Sequence, residues 1–157
     1  MNPSVLFGAV AGLGTVAYLW LCFQISPELY LEPAIIYASW IFYLLCMVIP
    51  VLLLKREGPV DFKEALRASF IVFIIANLIY TVFDFLFLTY WHSEMQDMMV
   101  SKIKDALDGG VLSPLREDMK NIDVTPTISN YLLSFAQSLI AGFILSALIA
   151  YFLKSER

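Results

Sequence analysis

Charge is what this chain has least of. Only 15% of its 157 residues are Asp, Glu, Lys or Arg, against about 25% in an ordinary soluble domain. Too few polar side chains remain to cover a water-facing surface, which excludes a soluble monomer. The bases are scarcer still: ten Lys and Arg against fourteen Asp and Glu, a formal charge of −4, with no basic block. Nucleic-acid binding needs a cationic footprint and is excluded too. There is one histidine, and the two cysteines, Cys22 and Cys46, each stand alone in an apolar stretch. No metal cluster, disulfide framework or cysteine–histidine nucleophile pair follows from so few. His92, Glu94 and Asp97 are close enough for a weak surface metal, but the same spacing describes a solvated helix face. Neither a phosphate-binding loop nor a haem ligand pair occurs. No catalytic residue, cofactor or metal is therefore predicted, and an enzyme acting alone is not expected.

What is present is apolar length. The composition is 60% hydrophobic and 15% aromatic, with a mean hydropathy of +0.76. Residues 5–24, 34–54 and 128–153 hold no charge at all, and residues 68–91 hold only Asp84. Each run has the roughly 20 residues a helix needs to cross about 30 Å of hydrocarbon. Backbone groups in lipid must be satisfied internally, so the four runs predict four helices. The fold class is all-α: one membrane domain, residues 1–157, built as a four-helix bundle. Pro33 suits the first turn of the second span. Asp61 and Glu64 have capping-box spacing ahead of the third, and Thr125-Pro126 reads as the start of the fourth. No Lys or Arg precedes the first span and no cleavage pattern follows it, so it is read as retained.

The bases assign an orientation. Lys55, Arg56, Lys63 and Arg67 lie between spans two and three, and Lys154 and Arg157 follow span four. The first connector has Glu28 and Glu32 and no base; residues 92–127 have four bases against seven acids. By the positive-inside rule both termini and the middle connector are cytoplasmic, and the acidic connectors face outward.

Polar residues inside the spans are the candidate site. Asn77, Thr81 and Asp84 fall on one face of the third helix, flanked by Tyr80. Asn130, Ser134, Gln137 and Ser138 make a second stripe on the fourth. Counted from the outer boundary, Asp84 lies about seven residues deep and Gln137 about nine, so the stripes are expected to meet in the outer half of the membrane. One reading of Asp84 is an ion, proton or substrate site. Another is a bundle-interior acid bonded to Gln137, Ser134 or a neighbouring tyrosine, where burial without a cation favours the protonated form, and a third is a polar contact facing a partner. In the first span Gly8, Gly12 and Thr15 follow the small-residue pattern that lets helices approach, within the bundle or between copies.

The long connector carries a third feature. Met95, Met99, Ile103 and Leu107 recur every four residues, with Met98 alongside and charges on the other positions. This predicts an amphipathic extracytoplasmic helix that continues the third span and ends at Gly109-Gly110, then a short helix from Ser113-Pro114 to Lys120. Its Met-rich face can bury on the bundle mouth, along headgroups or on a partner, and it is the candidate partner surface.

From Leu54 onward, several features carry a resemblance: Lys55-Arg56 after span two; Gly58 and then Asp61–Ala65 before span three; Asn77 and Tyr80 within it; the acidic Met-containing stretch; and a basic end. In these the chain resembles a bacterial family of small four-helix inner-membrane proteins, domain of unknown function 4199. The resemblance implies the fold, the topology and a bacterial inner membrane, and supplies no activity. The expectation is a non-catalytic accessory or scaffold subunit, in contact with lipid and with a membrane-protein partner or a second copy. The alternative is a small transporter or lipid-linked substrate handler using the intramembrane polar site.

Overall fold

The computed structural model describes residues 2–108 and 127–155, with side chains only up to Lys102 in the first segment. Among them there is no strand, and four helices are long and apolar enough to cross a membrane. Helix α1 covers Pro3–Ile25, α2 Pro27–Tyr30, α3 Pro33–Glu57, α4 Phe62–Leu86, α5 Glu94–Asp108 and α6 Ile128–Leu153. The spans are α1, α3, α4 and α6, so each connector returns the chain across the bundle. One end gathers Lys55, Arg56, Lys63, Arg67 and Lys154 and is called here the basic end; the other carries α2 and α5 and is the acidic end.

Local chemistry sets most helix starts. Asn2 caps α1, its side chain accepting from the Ser4 N–H at 3.0 Å. Pro27 and Pro33 open α2 and α3, where a missing N–H leaves no bond unmade. The capping box is present: Asp61 accepts from the Glu64 N–H at 2.7 Å, and Glu64 accepts in return from the Asp61 N–H at 3.3 Å. The start of the fourth span differs from expectation. The cap is Thr127, whose hydroxyl accepts from the Asn130 N–H, and helix begins at Ile128; residues 125 and 126 lie outside the described set.

The third span ends differently too. After Leu86 the helix widens into a π turn, Phe87–Trp91, closed by the His92 N–H donating to Phe87 O at 2.8 Å. His92 then leaves helical geometry, and α5 starts afresh at Glu94. The amphipathic helix is thus a separate element and not a continuation of the third span. Gly109-Gly110 and the Ser113–Lys120 segment lie outside the described residues. The short α2, in the connector between the first two spans, was not expected.

Helix α4 is the hub, packing on α1, α3 and α6. Gly8 and Gly12 let α1 lie close beside it: a Cβ at either would come within 2.8 Å of Ile75 or Ile79. That accounts for the small-residue pattern of Gly8, Gly12 and Thr15 as packing inside the bundle. Gly142 does the same on α6, where any side chain would run into the ring of Phe73. Toward the basic end a core of Val51, Val60, Ala65, Ala68 and Ala150 joins α3, α4 and α6. The Ser155 N–H donates to Val60 O at 2.9 Å, tying the end of α6 to the middle connector. Cys22 and Cys46 are buried and unbridged.

Candidate functional site

In the acidic half of the bundle, the walls formed by α3 and α6 stand apart around a cavity of about 500 Å³, with α4 as its floor and Thr15 of α1 at its back. The exposed residues of its lining are Trp40 of α3, Met99 of α5, and Asn130, Leu133 and Ser134 of α6. Met99 of α5 lies over the acidic end.

Of the eight polar residues predicted as a site, seven line this cavity: Asn77, Tyr80, Thr81 and Asp84 from α4, and Asn130, Ser134 and Ser138 from α6. The two stripes do meet. Asn77 Nδ2 donates to Ser138 Oγ at 2.7 Å, and Ser138 donates onward to Phe135 O in its own helix. Tyr131, one turn nearer the acidic end of α6 than Ser134, lines the cavity with Asp84, and its ring lies 5.2 Å from that of Phe85. From Asp84 to Asn77 is seven residues along α4, and from Tyr131 to Ser138 is seven along α6. Antiparallel helices in one register require that match. Phe73 and Gly142, four further along each helix, continue it.

Gln137 is the exception, and the expected Asp84–Gln137 meeting does not occur. Gln137 is exposed and outside the cavity. Two causes act together. Successive residues of a helix are rotated by about 100°, so Gln137 points roughly 140° away from Gly142. The close approach of Gly142 to Phe73, with Ser146 and Ala150 buried beyond it, fixes which side of α6 faces α4. The depth count also assumed that Trp91 and Ile128 are level. The Asn77–Ser138 bond instead sets a register about four residues, one turn, away from that level.

Sequence reasoning missed the residue closest to Asp84. Tyr30, on the unpredicted α2, is buried and donates its hydroxyl to Asp84 Oδ1 at 2.5 Å. Its ring stacks on Phe87, 4.9 Å between centroids, within a cluster that includes Phe23 and Phe83. The available signal was a tyrosine in an otherwise apolar and acidic turn headed by proline. Ser39, Tyr43 and Trp40 of α3 were also missed as lining residues. Thr15 was assigned to packing and also lines the cavity, its buried hydroxyl making no hydrogen bond among the described residues.

The Met-rich helix divides. Met95 is 1% exposed and packs with Leu19, Tyr30, Phe87 and Leu88 at the bundle mouth, so it is not part of a partner surface. The turn at His92 causes this by folding α5 back over the bundle. Met98 is half-buried and Met99 is exposed. Ile103 and Leu107 lie on α5 beyond the residues whose side chains are described. Lys102 clasps α5 to the first connector, 3.6 Å from the Glu32 carboxylate and donating to Glu28 O at 3.3 Å. Among the described residues no trio of His, Cys, Asp or Glu gathers to hold a metal.

Residues 5–155 match the family described as Protein of unknown function (DUF4199). The chain belongs to that family. The match reaches back through the first span, beyond the stretch from Leu54 that carried the resemblance. No curated protein and no solved structure matches the chain. In this DUF4199 protein, then, the chemistry of the site must be read from its own residues.

Proposed function

We propose that this DUF4199 protein is a non-catalytic bacterial inner-membrane protein that holds a small amphiphilic ligand, a transported solute or a lipid-linked substrate, in the cavity between α3 and α6. One observation carries the reading: seven polar residues from two spans converge on one cavity of about 500 Å³, inside the range of small-molecule sites. Polar groups are costly in a membrane interior, and a purely structural pair such as Asn77–Ser138 leaves Asp84, Thr81 and Ser134 lining open space. Entry past the exposed Trp40 and Leu133 suits a molecule arriving through lipid.

The test is native mass spectrometry of the protein released from its own membrane in mild detergent. The expected spectrum has a bound small molecule on the wild type and none on Ser134→Trp, which fills the mouth. Equal adducts on both proteins, or none on either, would contradict the reading. A second reading, an accessory or scaffold subunit, is favoured by how little of α6 the bundle covers, with Ile140, Phe143, Ile144 and Leu148 all exposed. It predicts instead a co-purifying protein whose retention ignores Ser134→Trp.

The basic end is assigned to the cytoplasm on the strength of Lys55, Arg56, Lys63, Arg67 and Lys154. With Cys22 and Cys46 replaced, a cysteine at Gly58 is expected to label only from the cytoplasmic side and one at Ser101 only from outside. Labelling of both from one side would overturn the topology.

A further inference from the structure

The proposed ligand site has a sign and a surface, and together they name a ligand class. Among the described residues, Asp84 is the one carboxyl group that lines the cavity, and no Lys, Arg or His lines it. The hydroxyl of Tyr30 meets Asp84 without bringing an opposite charge, so the hydrogen bond orients the group and leaves it uncompensated among the described residues. An intramembrane carboxylate of this kind is usually paired. Six aromatic residues line the same cavity, Trp40, Tyr43, Phe73, Tyr80, Tyr131 and Phe135. The faces of such rings carry negative quadrupole density and attract cations, most strongly where water is excluded. An anionic headgroup would meet the same carboxylate with nothing to offset the repulsion. A bare metal ion is a poor fit as well: hard cations bind oxygen at about 2.3–2.6 Å, and this space is far larger and mostly apolar.

We propose, resting on the ligand-binding reading above, that the cavity selects a lipophilic organic cation, an amine or onium amphiphile. Its charge sits at Asp84 and its apolar body lies against the rings, leading out past Trp40 and Leu133. The account requires a preference for positive over negative ligands of the same shape.

Tetraphenylphosphonium and tetraphenylborate are such a pair. Each is dialysed to equilibrium against the full chain in detergent, with protein-free micelles as the blank. The expected result is saturable binding of the cation and at least tenfold weaker binding of the anion. Asp84→Asn should weaken the cation at least tenfold, and Asp84→Glu should retain it. Equal binding of the two probes to the wild type would overturn the proposal without any variant having to fold. So would undiminished cation binding by a folded Asp84→Asn. If the borate binds preferentially and Ser134→Trp abolishes it, the charge selection is wrong and the cavity is still a ligand site. If neither probe responds to Ser134→Trp, the cavity reading falls as well.

Discussion

At the scale of single residues, the site depends on small side chains as much as on polar ones. Asn77 reaches Ser138 only because Gly142, one turn further along α6, lets the Phe73 ring lie against its backbone. Gly142→Leu therefore has no space to occupy. It should destabilise the bundle by about 1–3 kcal/mol or more through overpacking, seen as a lowered melting temperature in detergent. Gly58→Ala, where no atom lies within 4 Å of the added carbon, should change it by less than about 0.5 kcal/mol. Residue-level reading of the sequence found Asn77, Thr81 and Asp84 because charge and amide stand out against an apolar run. It could not find Tyr30, because a tyrosine near a membrane boundary has an ordinary interfacial explanation, and nothing local states that its hydroxyl reaches a residue 54 positions away.

At the scale of elements, the four spans and two of their starts follow from charge gaps, a proline and one capping box. What periodicity could not fix was rotation and register. On α6 the polar stripe and the small-residue stripe share Ser134 and Ser138 and then diverge; close packing of Gly142, Ser146 and Ala150 decides between them and leaves Gln137 outside. The π turn at Phe87–Trp91 is equally silent in hydropathy, since its residues are as apolar as a helix would have there. Its consequence is visible at Met95, which the turn carries into the core beneath α5. Met95→Ala should cost about 2–5 kcal/mol in detergent unfolding, as other buried truncations do. Met99→Ala, at an exposed position, should cost less than about 0.5 kcal/mol. Similar losses at both would mean that α5 does not fold back on the bundle.

At the scale of the whole molecule, the hub helix α4 packs against three neighbours, while α3 and α6 diverge around the cavity in the acidic half. The same arrangement that closes the basic end with Val51, Ala65 and Ala150 therefore opens a polar space at the other. Everything proposed about ligands requires α4 and α6 to face each other in the register that pairs Asn77 with Ser138. Oxidation of cysteine pairs tests this directly, because a disulfide closes only when the two Cβ atoms lie about 3.5–4.5 Å apart. In a chain lacking Cys22 and Cys46, Asn77→Cys with Ser138→Cys should lose both thiols on mild oxidation in the membrane, and Asn77→Cys with Gln137→Cys should keep them. Closure of the Gln137 pair, with the Ser138 pair left open, would contradict the register and the cavity with it.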